Sequence, residues 1–229
     1  MVRHDLPVRT PTEPLYRIAR KPNPWNPPDW KYVGDDLTFG NRFDDSAGRF
    51  RVVYAASSPL GCFVETLARF RAPPNVEDLM ALLAEIQAAP NERVSFGRVP
   101  AAWVGTRLLG KAVSKQTRFA DVYSAEWLSH LRRRLEPGLF ARRAEAAKDF
   151  DLARLISQDR TLTQQIASIV HDLEFDGIYY HSRHGSNLCN WALFEPFELE
   201  YMPAEPITID DPTLDAALRL LNLSLDRSS

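Results

Sequence analysis

A small set of residues in this chain could do chemistry together. Gly40-Asn41-Arg42-Phe43 is followed by Tyr54 and, eleven residues further on, by Glu65; Arg17 lies upstream. Guanidinium forks match phosphate oxygens in a bidentate way. A tyrosine offers a stacking ring and a hydroxyl. A glutamate accepts sugar hydroxyls and can stabilise a cationic sugar transition state. If the four converge, they suit an anionic, sugar-bearing ligand. Each has an ordinary reading too: most surface arginines bind nothing, and Glu65 could be a solvated carboxylate. Glu65 falls off the apolar stripe of Leu60, Phe63, Val64 and Leu67. Its neighbours one turn earlier are Gly61 and Cys62, both small, which leaves room for a ligand above them.

The elements that must position these groups follow from local pattern. Leu15–Arg20 alternates as a strand, and residues 50–56 (FRVVYAA) read as a buried strand. Ser57-Ser58-Pro59 is a helix start, a hydroxyl cap followed by proline at the first helical position. That helix is expected to run to about Phe70, before Pro73-Pro74. Strand, turn and helix would fold back and bring Arg42, Tyr54 and Glu65 toward one end of the unit. Seven of the 17 prolines lie in the first 30 residues, so regular structure is sparse there, and Trp25 and Trp30 are expected to anchor the loop.

Further along, residues 77–89 suit either a helix or a strand pair before a turn at Pro90-Asn91, and 92–99 suit a strand. The stretch 105–175 reads as mainly helical, with helices over 125–135, 139–156 and 161–173. A strand begins at Ile178–Tyr180, a loop is expected over His181–Asn187, another strand over Leu188–Phe194, and a short helix over Pro212–Leu221. Strands at both ends and helices in the middle predict an α+β fold with a mainly helical middle insertion. With no linker or repeat in view, residues 1–229 are expected to form one domain.

Composition narrows the function classes. Hydrophobic residues make up 45% and charged residues 25%, ordinary globular values that exclude a disordered or coiled-coil chain. Lys+Arg is 28 against 30 Asp+Glu, a net charge of −2, so the basic excess of a strong nucleic-acid binder is missing. Cys62 and Cys189 are too few for a disulfide framework or a four-cysteine zinc site. His181 and His184 flank Ser182-Arg183 but do not by themselves make a metal site, and no metal is expected. No apolar run reaches the ~18 residues of a membrane helix, and the polar, proline-broken start is no secretory signal. A cytoplasmic protein is expected. Phosphate-loop, dinucleotide-fold, zinc-protease and nucleophile-elbow motifs do not occur. The run Arg132-Arg133-Arg134 reads as a solvated helix face, with contact to an acidic partner surface or a site for a ligand's phosphates as the alternatives.

These segments together resemble the RES domain, a family named for an arginine, a glutamate and a serine. Tyr16-Arg17 resembles its N-terminal motif. Gly40-Asn41-Arg42-Phe43 resembles its Gly-Gly-Arg-Trp-Asn turn, with Phe43 for the tryptophan and Asp44 for the asparagine. Tyr54 through Glu65 resembles its strand-to-helix block, and Gly177–Ser182 with Asn190–Phe194 its C-terminal block. The resemblance spans about 15–196. It implies an ADP-ribosyltransferase-like fold with a mixed or antiparallel sheet. It implies a toxin that depletes NAD+ by phosphorolysis or hydrolysis of the nicotinamide–ribose bond, with NAD+ as substrate and inorganic phosphate as a candidate co-substrate. The partner implied is an Xre-type helix-turn-helix antitoxin; a homodimer through an edge strand is an open option, and neither nucleic acid nor membrane is implied. Arg17, Arg42 and Glu65 would be catalytic; Tyr54, Ser182 and Asn190 would bind NAD+. Ser182 has the alternative of capping a turn, and Thr161 and Gln164 are weaker candidates. The competing functions are a protein ADP-ribosyltransferase and an inactive module that kept the fold.

Overall fold

The computed structural model describes residues 6–72, 96–135, 150–156 and 160–226. The expectations for 77–89, for the turn at 90–91, for the start of the 92–99 strand and for the helix over 139–149 lie outside the described residues. Among those described, no helix is long and apolar enough to cross a membrane.

Eleven strands and six α-helices are described. The strands are β1 (Val8–Arg9), β2 (Leu15–Arg20), β3 (Val52–Ala56), β4 (Arg98–Val99), β5 (Arg107–Ser114), β6 (Phe119–Asp121), β7 (Gly177–Ser182), β8 (Gly185–Phe194), β9 (Leu199–Tyr201), β10 (Glu205–Pro206) and β11 (Ser224–Leu225). The helices are α1 (Pro59–Leu67), α2 (Ala101–Gly105), α3 (Ala125–Arg134), α4 (Leu152–Ile156), α5 (Arg160–Asp172) and α6 (Pro212–Leu221). One sheet has the order β1-β6-β7-β8-β3-β2-β5-β10, with β9 also on β5. Its pairs are antiparallel except β6–β7, so the expected α+β class with a mixed sheet is what the structure has. The small second sheet pairs β11 with β4.

Local signals set several of these elements. Ser58 Oγ accepts the N–H of Gly61 at 3.1 Å and Pro59 opens α1, as the sequence implied. Asp211 caps α6 in the same manner, and Asn222 ends it in the left-handed region at φ 54°. Both bounds of α6 match the expectation.

Among its described residues the stretch 105–175 holds the helices α3, α4 and α5, as expected of a mainly helical middle, but it is not helical throughout. Between 105 and 175 lie β5 and β6, and β5 is a central partner of β2, in register from Leu15↔Ala112 to Arg20↔Arg107. Pairing along six residues overrides local helix propensity. Gly110 marks the place: a Cβ there would lie 2.6 Å from Pro24 Cγ and 2.7 Å from Trp25 Nε1, so the N-terminal loop packs directly on the strand. The loop expected over 181–187 is instead a tight hairpin, with β7 reaching Ser182 and β8 starting at Gly185. Trp25 is buried and anchors its loop as expected, whereas Trp30 stays 38% exposed, tilted on Phe39 beneath Arg51.

Two helical groups cover the same face of the sheet. On one side α3 and α5 pack Trp127, Leu131, Ile166 and Val170 over Val52, Ile178 and Ala192. On the other, α1 and α6 pack Phe63, Leu67, Leu214 and Leu218 over Ile18 and Ala56. The opposite face is sealed by Trp25 with Leu15, Val53, Phe119 and Trp191. Between the two groups part of the sheet stays uncovered.

Gly177 shows how tightly β7 is held. It pairs with Phe119 on one side and Leu193 on the other, and a Cβ there would lie 2.0 Å from Ala192 O. Gly177→Ala is expected to lower the urea midpoint by the equivalent of about 3 kcal/mol, as overpacking against backbone does. An unchanged midpoint would contradict this packing.

Candidate functional site

The uncovered strip is the floor of a cleft of about 510 Å³. Tyr54, Ala56, Tyr180 and Asn190 line it from the sheet, Cys62, Glu65 and Thr66 from α1, and Gly40, Asn41 and Arg42 from the loop before β3. Arg17 and Arg160 complete its cationic lining. Five of the six residues singled out from the sequence therefore meet in one place. Ser182 is the exception. It is buried at the end of β7, is not part of the lining, and accepts the His184 N–H on its Oγ at 3.0 Å, the turn-capping alternative.

The Arg42 loop is built around a buried carboxylate. Asp44 is 3% exposed. Its Oδ2 accepts the backbone N–H of Phe39 at 2.9 Å and of Asn41 at 2.7 Å, and the Asn41 amide at 3.2 Å. Gly40 takes φ +76° inside this wrap, a conformation that glycine adopts without strain. The Tyr54 hydroxyl accepts the N–H of Phe43 at 2.9 Å and donates to Asp44 Oδ1 at 3.3 Å. Burial and the facing Asp44 carboxylate push the Tyr54 phenol well above its ordinary range. Its O–H is thus committed to the loop, and its ring is what faces the cleft. Gln164 Nε2 donates to Asn41 O at 3.1 Å and ties the loop to α5. Phe43 is fully buried, edge-on to Tyr180 at 5.0 Å between ring centroids.

Arg42 leaves this loop with its guanidinium over the rings of Phe43 and Tyr180, at 5.1 and 5.3 Å, and its Nη2 donates to Leu155 O at 2.7 Å. Among the described residues its buried Nε has no hydrogen-bond partner. Arg17 sits where β2 and β3, registered at Tyr16↔Ala56, part from one another. Its Nε donates to Pro24 O at 2.6 Å and its Nη1 to Tyr54 O at 2.8 Å. Burial pushes Arg17 down to about 10, which still leaves it cationic at neutral pH.

Glu65 is exposed at the cleft wall, and one oxygen accepts Asn190 Nδ2 at 2.8 Å. The small residues below it serve the packing of α1. A Cβ on Gly61 would meet Ala56 Cβ at 3.1 Å, so the helix lies close on β3. Cys62 lines the cleft, but burial pushes its thiol up to about 12. It is neutral at physiological pH and is no nucleophile. Three guanidinium groups, Arg17, Arg42 and Arg160, face one carboxylate in the lining. Outside the lining, burial lowers Arg183, and it also feels Glu65, Arg42, Arg160 and Arg71. The field is net positive and suits an anion.

Sequence reasoning missed Arg160, Tyr180 and the hub role of Asp44. Arg160 opens a helix far along the chain and carried no local signal. Asp44 did carry one: an acidic residue just after a glycine turn is a candidate to accept that turn's N–H groups. Gln164, a weaker candidate, serves the loop, and Thr161 is exposed. Arg132, Arg133 and Arg134 are exposed on α3, away from the cleft lining. No group of three His, Cys, Asp or Glu among the described residues could hold a metal.

Fold and cleft together define an α+β protein with a cationic cleft over a parted sheet. Residues 14–215 match the RES domain, and the chain belongs to that family. Its structure is similar to a chain of the M. tuberculosis MbcT–MbcA toxin–antitoxin complex, with a TM-score of 0.52 and 14% identity, covering 91% of this chain and 88% of that one. No curated protein matches the sequence.

The Tyr54 hydroxyl offers a direct check on the loop. Tyr54→Phe leaves the Phe43 N–H and one Asp44 oxygen without this partner, and is expected to cost about 1–3 kcal/mol in chemical denaturation. A variant as stable as the parent would show that the phenol does not hold the loop.

Proposed function

We propose that the protein cleaves the nicotinamide–ribose bond of NAD+ and so acts as a RES-type toxin. The observation that carries this reading is the convergence of Arg17, Arg42, Tyr54, Glu65 and Asn190 on one cleft, from segments up to 173 positions apart in the sequence. Family membership supports the substrate.

In this reading Arg42 and Arg17 hold the pyrophosphate, and the unpartnered Arg42 Nε is a donor available to it. The ring of Tyr54 packs against the nicotinamide ribose. The Glu65 oxygen not taken by Asn190 accepts a ribose hydroxyl and stabilises the positive charge that grows on the anomeric carbon. The C–N bond breaks with its electron pair going to the nicotinamide nitrogen, which leaves neutral and needs no strong acid. An oxygen of phosphate or water forms the new bond to the anomeric carbon. Water then gives ADP-ribose and a released proton, and phosphate gives the ADP-ribose 1-phosphate ester. Burial keeps the Cys62 thiol and the Tyr54 phenol protonated, which supports a nucleophile that comes from solution. The surplus of guanidinium groups, Arg160 included, supports phosphate as that nucleophile. Ser182 takes no direct part. The partner in this reading is an antitoxin, as in the MbcT–MbcA complex, and a helix-turn-helix protein of the Xre type is the candidate.

Purified protein incubated with NAD+ is expected to release nicotinamide, faster with added phosphate. Glu65→Gln should keep the fold and cut turnover about 100-fold, the scale of losing one transition-state-stabilising group. Near-normal turnover in that variant refutes the role of Glu65. Label transferred from NAD+ to macromolecules would replace the reading with protein ADP-ribosylation, and no release from a folded protein would leave a binding module.

A further inference from the structure

Asn190 is a polar residue where the pattern of its strand calls for an apolar one. It lies in the middle of the sheet, paired with Ala56 of β3 and Tyr180 of β7, in the run Cys189-Asn190-Trp191-Ala192-Leu193-Phe194. It is 1% exposed. Burying a primary amide is costly unless both of its ends are paired. Here one end is paired: Nδ2 donates to Glu65 Oε1 at 2.8 Å, while Oδ1 has no partner among the described residues. The amide cannot turn over to improve this, because Oδ1 would then face the carboxylate. The one bond it makes reaches across from the sheet to an exposed side chain on α1. Gly61 makes that reach short, since a Cβ there would crowd Ala56 at 3.1 Å and Ser58 Oγ at 3.3 Å and push α1 outward.

We propose that Asn190 is a positioning residue that acts through Glu65 and does not hold the ligand itself. An exposed glutamate on a helix samples many rotamers, and that entropy is lost when the carboxylate must meet the positive charge that grows in the transition state. The buried amide selects one rotamer beforehand. It occupies Oε1 and leaves Oε2 as the oxygen available to a ligand in the cleft that Glu65 lines. A donor at Oε1 also holds the carboxylate in place as positive charge grows opposite it. The proposal rests on the NAD+-cleaving reading of the cleft. It differs from a ligand-binding role for Asn190 in what it predicts: loss of the amide slows the chemical step and leaves substrate binding alone.

The test is a mutant cycle read by steady-state nicotinamide release from the full chain. Asn190→Ala is expected to lower kcat about tenfold or more, the scale of a hydrogen bond to a charged group, with KM for NAD+ within about twofold. Asn190→Leu keeps the approximate size of the side chain and removes the donor, so it guards against loss of fold; its kcat should fall about as far as that of Asn190→Ala. In a Glu65→Gln background, Asn190→Ala should cost less than about twofold more, because the residue acts only through the carboxylate. A raised KM with unchanged kcat, or effects of Asn190→Ala and Glu65→Gln that simply multiply, would overturn the role while leaving the NAD+-cleaving reading intact. Absence of nicotinamide release from the parent protein would overturn both.

Discussion

A carboxylate taken almost wholly out of water, that of Asp44, governs the geometry of the cleft. A buried carboxylate is tolerated only when its oxygens are saturated with donors. Asp44 meets that demand with the N–H groups of Phe39 and Asn41, the Asn41 amide and the Tyr54 hydroxyl. The demand shapes its surroundings: the chain must wrap around it, Gly40 must enter the left-handed region, and Tyr54 must point from β3 toward the loop. Once these are met, Arg42 leaves the loop at a fixed place and in a fixed direction. Gln164 and the Leu155 carbonyl then tie loop and guanidinium to the helical side of the cleft. The cation of the site is thereby placed by a sequence of hydrogen bonds that begins in the sheet.

The cleft itself results from incomplete coverage. One face of the sheet carries two separate apolar clusters, one under α3 and α5 and one under α1 and α6. Strands β3 and β8 contribute to both, and the polar members of their pattern, Tyr54 and Asn190, fall between them. A sheet face left open in a monomer usually exposes apolar surface. Here the open strip carries a phenol ring and an amide and is overhung by arginines, a lining that suits a charged ligand better than an apolar partner. The parting of β2 and β3 belongs to the same design. Arg17 satisfies carbonyls of Pro24 and Tyr54 where ladder hydrogen bonds have ceased.

What could be read from the sequence was what local chemistry determines. The cap of α1 was legible because a hydroxyl followed by proline does one thing well, and α6 was expected over the range it occupies. The strand–helix unit from Val52 to Leu67 followed, and with it the proximity of Tyr54 and Glu65. Arg42 was found through its glycine turn, and Asn190 through family resemblance. What failed was non-local. β5 reads as part of a helical region until its partner β2 is known, although Gly110 and Val113 disfavour a helix. Arg160 reaches the cleft by extending its guanidinium to Gly40, 3.6 Å from where a Cβ there would stand. Ser182 stood in the right block of sequence but faces a turn, because the hairpin between β7 and β8 is tighter than its polar composition suggests.

The interior polar atoms that lack partners are informative by location. Most buried polar groups in folded proteins are hydrogen-bonded, and exceptions concentrate where function overrides stability. Of the seven such atoms among the described residues, two, Arg42 Nε and Asn190 Oδ1, belong to residues lining the cleft. Each side chain is fixed by its other polar end, Arg42 through Nη2 to Leu155 O and Asn190 through Nδ2 to Glu65. A group tethered at one end and unpaired at the other resists reorientation, so little reorganisation remains when a charged ligand arrives. Electrostatic catalysis depends on that condition, since donors and charges that must first turn toward the reacting atoms lose much of their effect. For the same reason the cleft tolerates a desolvated Arg17: its two carbonyl bonds hold it at an orientation that solvent would otherwise randomise.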